Sequence, residues 1–363
     1  MRVGINASSL WRRLTGVGYS TLSLLRTLAR VNQEMELVFI GVPPSLRETL
    51  AGKNITLVPT EPLRRGLRLA WEQCELPRLA AQARVEVLHC PDYNRPLWCP
   101  MPVVNTIHDL SYYERQPYFS LAARGLRRTM TRDSVARSAA IIAISQYTRN
   151  SILKRFSVPE NRVFVIYHGT EPPAPQPRRR PDVPFLLFVG TLESRKNVVT
   201  LVRAFGQLKK QRRIPHRLVL AGQPGRGWPE IQQAIEQSGV AGEIDLPGYV
   251  SREELLRLYR SADVFVCPSF YEGFGMPILE AMAHGVPVVC SRATCLPEIA
   301  GDAAEFFDAP NPEELAGVLL RVVQSPELQD RLRRKGLERA QLFSWEECAR
   351  RHCEVYRHVL AGK

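Results

Sequence analysis

The sequence predicts an α/β protein of two domains, each built on a parallel β-sheet with helices on both faces. Its 363 residues exceed the roughly 100 to 200 of a typical domain. Short apolar runs alternate with helical patterns, and continuously apolar strands are typical of parallel sheets buried on both faces. The segment EPPAPQPRRRPDVP has six prolines in fourteen residues. It predicts a linker, because proline is disfavoured in central strands and helix interiors.

The first half, residues 1–170, predicts one Rossmann-like domain. It opens with a buried strand, RVGINA, which a polar loop joins to a helix in YSTLSLLRTLARV. Further strand-like runs alternate with helical stretches and are ELVFIG, ITLVP, VEVLHCP, PVVNTIHDL, AAIIAIS and RVFVIYHGT. This alternation favours a parallel sheet with crossover helices.

The second half repeats this architecture without repeating the sequence. After the linker at 171–184, residues 185–345 predict a second Rossmann-like domain. Its strand-like runs are FLLFVGTL, RLVLAG, IDLPGYV, DVFVCPS, VPVVCS and AEFFD, and the last of them is followed by no further strand. The tail, residues 346–363, has helical apolar spacing, and we expect a helix that packs back towards the first domain.

The composition indicates a soluble globular protein, with 45% hydrophobic and 23% charged residues. No charge-free apolar run approaches the ~20 residues that span a bilayer. Because the first residues also lack the features of a secretory signal, we expect a cytoplasmic protein. Eight cysteines occur without a C-x-x-C pair, which favours buried free thiols over disulfides or zinc.

Positive charge is concentrated in the first half. Residues 1–183 hold 26 Lys and Arg against 14 Asp and Glu, a net charge of +12, and the remainder has a net charge of +1. A solvated surface, nucleic acid and an anionic membrane on the inner face of the cell stay open as explanations, although no nucleic-acid recognition motif is present. The arginines concerned are Arg64, Arg65, Arg68, Arg124, Arg127, Arg128 and Arg132. Helical spacing places Arg124, Arg128 and Arg132 on one face. Beside this face, we expect exposed apolar contact from Leu121, Leu126 and Met130.

Two glycines, Gly16 and Gly18, precede the first predicted helix. They do not form a dinucleotide-binding fingerprint, because a third glycine is missing and about nine residues separate the strand from Gly16. A phosphate-binding loop before a helix N-terminus and a plain turn both stay open.

Two cations, Arg195 and Lys196, follow a predicted strand in VGTLESRKN. Ligands of α/β sheets bind at the carboxyl ends of strands, so these side chains are well placed to neutralise a diphosphate leaving group. Exposed loop charges without a ligand are the alternative.

Two glutamates, Glu272 and Glu280, stand eight residues apart in CPSFYEGFGMPILEAMAHG. The strand DVFVCPS leads into a glycine loop, and Pro277 favours the start of a helix that Gly285 ends. Glycines let the backbone approach a ligand, and a helix start offers free N–H donors. We therefore expect the carboxylates to accept hydrogen bonds from sugar and ribose hydroxyls. Ordinary acids near a helix N-terminus are the alternative.

Taken together, these motifs resemble the retaining glycosyltransferases of family 4, which have the GT-B fold of two Rossmann-like domains around a cleft. EGFGMPILE is similar to the E-x7-E signature of that family. TGVGYSTLSLLRTL resembles its acceptor-side glycine loop, NTIHDLSY its His-Asp strand end, VGTLESRKN its diphosphate loop, and LPEIAGDAAEFFD the segment after the signature. The resemblance covers nearly the whole chain.

The resemblance implies a role for each of the charged residues. Glu272 would face the donor sugar, and Glu280 would bind the ribose. Arg195 and Lys196 would hold the diphosphate, and His108 would lie near the transferred sugar.

It also implies backbone contacts. Gly273, Phe274 and Gly275 would line the sugar and phosphate, and Gly190 and Thr191 would lie on the donor side. Many members have arginine where this chain has Thr191, which would leave more of the diphosphate charge to the two cations of the same loop. Gly16 and Gly18 would belong to the acceptor or phosphate loop.

The resemblance implies a retaining transferase that moves a hexose, expected to be mannose, from GDP-mannose to a saccharide or lipid-linked hydroxyl in polysaccharide or glycolipid assembly. No D-x-D triplet occurs, so we expect transfer without a metal or cofactor. A nucleotide-sugar 2-epimerase of the same fold and a basic nucleic-acid-binding protein stay open. The epimerase would need acids for proton abstraction, and none can be assigned.

Overall fold

A computed structural model describes residues 1–11, 16–32, 34–60, 67–114, 118–171, 181–212 and 214–362. The chain forms two compact units. The first unit contains Met1–Arg115, Phe119–Gly169 and Ser344–Lys363, and the second contains Gln116–Tyr118 and Thr170–Phe343. Most of the proline-rich segment, and also Arg64 and Arg65, lie outside the described residues.

A parallel sheet forms the centre of the first unit. Its strands, within the described residues, are β1 Arg2–Asn6, β2 Glu36–Val42, β3 Ile55–Pro59, β4 Val87–Cys90, β5 Val103–Ile107, β6 Ala140–Ala143 and β7 Val163–Val165. They pair in parallel in the order β3-β2-β1-β4-β5-β6-β7. The chain therefore changes direction across the sheet between β1 and β4.

The second unit has the same kind of sheet. Its strands, in the described part of the chain, are β8 Phe185–Val189, β9 Arg217–Ala221, β10 Ile244–Gly248, β11 Val264–Cys267, β12 Val288–Ser291 and β13 Ala304–Phe307. They pair in parallel in the order β10-β9-β8-β11-β12-β13. Here the strand order reverses between β8 and β11. The predicted fold class, two Rossmann-like parallel-sheet domains, is confirmed.

Helices connect the strands of both units. In chain order they are α1 Gly16–Val31, α2 Arg47–Leu50, α3 Arg68–Gln82, α4 Leu121–Arg137, α5 Gln146–Arg155, α6 Val198–Arg212, α7 Trp228–Gln237, α8 Arg252–Ser261, α9 Met276–Ala283, α10 Leu296–Ala300, α11 Pro312–Gln324, α12 Pro326–Gln341 and α13 Trp345–Ala361. Across the described residues, none is both long and apolar enough to cross a bilayer.

The last helix, α13, belongs to the first unit. It packs against α1 and β4 and buries Tyr356 and His352 there. Gly169 closes the contact, because a Cβ atom at this position would lie 2.2 Å from the backbone nitrogen of Trp345. Only glycine allows so close an approach of two backbones.

Two helices, α11 and α12, lie between the last strand and the tail, where the pattern analysis assigns no element. That omission is wrong, and both helices have local signals. Asn311 and Ser325 cap them by accepting hydrogen bonds from the first turn, and a proline follows each cap. Leu315 and Leu319 of α11 join the core of the second unit.

Candidate active site

The predicted cations and the first glutamate meet at the point in the second unit where the strand order reverses. Arg195 and Lys196 lie in the turn that follows β8, and Glu272 lies in the loop between β11 and α9. The Nζ atom of Lys196 is 2.6 Å from Oε1 of Glu272, and Nη1 of Arg195 is 3.5 Å from Oε2. Such reversal points are where open α/β sheets bind their ligands.

The Glu272 carboxylate is buried, with 6% of the residue exposed. Ser269 donates a hydrogen bond from Oγ to its Oε1 over 2.6 Å. Burial by itself would raise the pKa of Glu272, but the charges of Lys196 and Arg195 and hydrogen bonds from Lys196 and Ser269 lower it below its ordinary value. The carboxylate is therefore ionised at neutral pH and faces two cations.

Two further residues hold this arrangement in place, and the sequence analysis assigns neither of them. Asn197 adopts a left-handed backbone with φ of 53°, and its Nδ2 donates to the carbonyls of Pro268 and Ala309 over 3.0 and 2.6 Å. These bonds fix the loop after β8 to the segments that follow β11 and β13. Asparagine tolerates this conformation better than most residues.

Thr294 is the second, and its backbone is strained. Its φ is 55°, a conformation that β-branched residues rarely adopt and that costs about 1–3 kcal/mol. Its Oγ1 accepts a hydrogen bond from the backbone nitrogen of Glu272 over 3.0 Å. No motif pointed to Thr294, because it lies 22 residues along the chain from Glu272 and β-branched residues normally signal strand.

The glycine loop forms as expected around the start of α9. Gly275 has a φ of 91° and precedes the helix, and Pro277 is its second residue. The ring of Phe274 is buried and packs edge-on against Phe343, with 6.0 Å between the ring centroids. The phenyl ring therefore anchors the loop that precedes α9.

The second glutamate, Glu280, contacts a different set of partners. Arg252 lies 2.6 Å from its Oε1, and the Tyr259 hydroxyl donates to Oε2 over 2.9 Å. The ring of His284 stacks on Tyr259 at 5.5 Å, and its Nδ1 donates to the backbone carbonyl of Glu280 over 2.7 Å. A carboxylate has about four acceptor positions, so these two donors leave capacity for a hydroxyl.

The loop after β8 packs closely against the loop after β9. Gly190 has a φ of 151°, and a Cβ atom at Gly222 would lie 1.8 Å from the Gly190 carbonyl oxygen. Thr191 follows in this tight contact and is partly buried. Both residues thus lie at the carboxyl end of β8, in the same loop as the two cations.

The remaining predicted residues lie in the first unit. His108 follows β5 and donates from Nε2 to the Pro91 carbonyl over 3.1 Å. Its neutral form therefore presents Nδ1 as an acceptor.

Gly16 and Gly18 form the first turn of α1, so the prediction of a loop before the helix is wrong at these two positions. Residues 12–15 lie outside the described residues.

The basic clusters of the first unit are less available than their spacing suggests. Arg124 and Arg128 share a face of α4, but both donate to the Tyr112 carbonyl, over 3.0 and 2.9 Å. Arg68 pairs with Glu72 and Asp92. Met130 is buried, so the expectation that it forms exposed apolar contact is wrong, whereas Leu121 is 85% and Leu126 45% exposed.

The structure shows neither a disulfide nor a metal-binding cluster among the described residues. All eight cysteines are free, and most are buried, Cys74 being exposed. Among the described residues, no three His, Cys, Asp or Glu side chains group in a way that could hold a metal ion. Metal-independent transfer stays a prediction.

Two family models match the chain, one to each half. The model for glycosyltransferase family 4 matches residues 14–172, and the model for glycosyl transferases group 1 matches residues 173–339. Together they span the loops that carry the predicted site residues and every strand of both sheets except β1.

Similar proteins are found both among curated sequences and among solved structures. The chain is 31% identical to an O-antigen chain mannosyltransferase B of Escherichia coli, over 95% of this chain and 96% of that protein. It is 30% identical to an MMP alpha-(1->4)-mannosyltransferase of Mycolicibacterium hassiacum, over 72% and 66%.

Two solved structures share the fold. A sucrose-phosphate synthase of Thermosynechococcus elongatus aligns with a TM-score of 0.80 at 21% identity, over the whole of both chains. Anabaena HepE in complex with UDP-glucose aligns with a TM-score of 0.76 at 15% identity, over 99% of this chain and 100% of that one. The two family models and the full-length relative show that this chain belongs to the family 4 glycosyltransferases of GT-B fold.

Proposed function

We propose that the protein is a retaining mannosyltransferase that moves mannose from GDP-mannose to a hydroxyl of a saccharide or lipid-linked acceptor. The observation that carries this proposal is the meeting of Lys196, Arg195 and the buried Glu272 at the reversal point of the second sheet. The choice of mannose is supported by the names of the two relatives described above. A role in polysaccharide or glycolipid assembly is consistent with the first of them.

The proposed chemistry depends on stabilising the leaving group. The bond between the anomeric carbon and the phosphate oxygen breaks, and negative charge grows on the departing diphosphate. Lys196 and Arg195 would then shift part of their interaction from Glu272 to that charge, which fixed cations stabilise strongly in a site that excludes water. The acceptor oxygen bonds to the same face of the sugar and passes its proton to the departing phosphate oxygen.

Incubation with labelled nucleotide sugars tests this function directly. GDP-mannose should transfer mannose to octyl α-mannoside or to extracted lipid acceptors in the presence of EDTA, because we propose no metal or cofactor. UDP-mannose and GDP-glucose serve as matched controls for the base and the sugar, respectively. Loss of activity with EDTA that Mg²⁺ restores would contradict metal independence, and formation of an epimerised nucleotide sugar would contradict transfer.

Replacing Glu280 with alanine should weaken donor binding by about 10- to 150-fold. A carboxylate that accepts ribose hydroxyls contributes charge-assisted hydrogen bonds of about 1.5–3 kcal/mol. Calorimetric titration with GDP measures the effect. Glu253→Ala is the matched control, because Glu253 is an exposed carboxylate that pairs with Arg257 on α8. Equal GDP affinity in both folded variants would argue against the ribose role.

We further propose that the protein works in the cytoplasm and that its first unit contacts an anionic membrane, where a lipid-linked acceptor would lie. The support is the charge of +12 in residues 1–183 and the exposed pair Leu121 and Leu126 on the arginine-rich helix α4. Each basic residue near such a surface contributes about 1 kcal/mol and is screened by salt.

Flotation of the whole protein with phosphatidylglycerol vesicles tests this contact. Binding should fall with added NaCl and with Leu121→Glu combined with Leu126→Glu. Leu342→Glu should leave binding unchanged, because Leu342 is an exposed leucine of the second unit, with an exposed fraction between those of Leu121 and Leu126. Flotation that is absent at low salt, or that survives the double substitution, would rule out docking through α4.

A further inference from the structure

A buried carboxylate, Glu72 of α3, lies at the centre of a polar network in the first unit, and the proposed mechanism does not use it. The residue is 3% exposed. Its Oε1 accepts hydrogen bonds from Asn6 Nδ2 over 3.1 Å, Ser8 Oγ over 2.6 Å and Arg68 Nε over 2.8 Å. Its Oε2 accepts one from Asn94 Nδ2 over 2.7 Å. A buried carboxylate with this many donors is fully satisfied and fixes each of them.

The network joins the two loops that leave the sheet at its reversal point. Asn6 and Ser8 end β1 and begin the next loop, and Asn94 lies in the loop after β4. Strands β1 and β4 are paired neighbours, and the strand order reverses between them. Because ligands of α/β sheets bind at this position, the network around Glu72 lies where the first sheet would receive a ligand.

The network extends to a carboxylate that solvent can reach. Arg68 donates from Nη2 to Oδ2 of Asp92 over 2.9 Å, and 17% of the Asp92 side chain is exposed. The backbone nitrogen of Tyr93 donates to the other oxygen, Oδ1, over 2.8 Å. Asp92 is therefore oriented by two donors and keeps free acceptor positions.

Two polar atoms beside the network have no hydrogen-bond partner among the described residues. They are Oγ of Ser9, next to Ser8, and Oδ1 of Asn105. Asn105 is buried, and its Nδ2 donates to the carbonyls of Cys90, Asp92 and Asn94 over 3.0, 2.7 and 3.3 Å. Buried polar groups in proteins are nearly always paired. The two unpaired oxygens therefore point to a polar ligand or a water molecule as their partner.

We propose that Glu72 is a positioning residue for the acceptor: through Arg68 it orients Asp92, which accepts a hydrogen bond from an acceptor hydroxyl. This inference rests on the proposed function, since it names residues that would recognise the acceptor of that reaction. A sugar with several hydroxyls suits an oriented carboxylate, which can accept from two neighbouring hydroxyls at once. Removing the Asp92 charge should therefore weaken acceptor binding without touching the donor.

Steady-state transfer from GDP-mannose to octyl α-mannoside provides the test. Asp92→Asn should raise the acceptor KM at least tenfold, change kcat by less than threefold and leave the affinity for GDP unchanged. Glu72→Gln should raise the acceptor KM in the same way. The double variant should resemble the stronger single variant, because Glu72 acts through Asp92.

The matched control is Glu75→Gln, which removes an exposed carboxylate paired with Arg78 on the same helix and should change no parameter. If Glu72→Gln fails to fold, Asp92→Asn still decides, because Asp92 is partly exposed. An acceptor KM within twofold of wild type in Asp92→Asn, or a loss of GDP affinity, would overturn the inference. A wild-type protein that transfers mannose to no acceptor would instead overturn the proposed function.

Discussion

Replacing Lys196 with alanine is expected to lower turnover by roughly 100- to 1,000-fold, the range seen when one preorganised group that stabilises developing charge is removed. The Lys196 ammonium lies in the loop after β8 and is held 2.6 Å from Glu272. Since its charge matters most as the diphosphate leaves, kcat should fall more than the donor affinity does. Turnover within twofold of wild type would contradict the leaving-group role.

The same substitution also removes a counter-charge from a buried carboxylate. Breaking a buried ion pair costs about 3–5 kcal/mol, so reduced stability has to be separated from reduced catalysis. Combining Lys196→Ala with Glu272→Gln should restore most of the stability and none of the turnover, as thermal unfolding and kinetics would show. Lys335→Ala is the control, because it breaks an exposed pair with Asp302 in the same unit.

Lowering the pH from 7.5 to 5 is expected to destabilise the first unit. His89, His168 and His352 are buried there. Burial lowers the pKa of each, that of His352 to about 4, and neighbouring histidines lower those of His89 and His168 further. The folded protein keeps these rings neutral, whereas the unfolded chain takes up protons below about pH 6.5. Stability is therefore lost as the pH falls, and His352 alone contributes about 2 kcal/mol by pH 5.

A pair of variants on one helix isolates this effect. His352→Gln should reduce the slope of the unfolding free energy against pH. The reduction should correspond to about one fewer proton taken up on unfolding. His358→Gln, at an exposed position of α13, is the matched control for a histidine substitution on this helix. The Glu272 carboxyl has a lowered pKa, so its contribution is lost only at more acidic pH. Denaturant titrations at several pH values give the slopes, and identical slopes in the three proteins would refute the assignment.

The sequence predicts the part of the site that local pattern determines. Arg195, Lys196 and Glu272 each follow an apolar strand, and a parallel sheet brings its strand ends to one edge. The direction in which a side chain points, and the partner it finds, depend on distant segments. Arg252, which pairs with Glu280, comes 28 residues earlier in the chain, and no spacing rule connects them.

The dependence on distant segments also explains why the α4 arginines are less available for binding than their spacing predicts. Helical spacing places Arg124 and Arg128 on one face, as the structure has them. It does not reveal that this face covers the turn at Tyr112, whose carbonyl both residues bind. Glu72 was missed for the same reason, since its partners come from β1, the loop after β4 and its own helix.

The membership of α13 in the first unit has a consequence for how the protein is made. A ribosome adds about 5–20 residues per second, so roughly 10–35 s separate the synthesis of Gly169 from that of Trp345. Over that interval the residues from Thr170 to Phe343, which make up most of the second unit, are synthesised, while the earlier-made unit still lacks the helix that covers α1 and β4. A released chain that ends at Phe343 should therefore be protected from protease in its later part and cleaved in its earlier part.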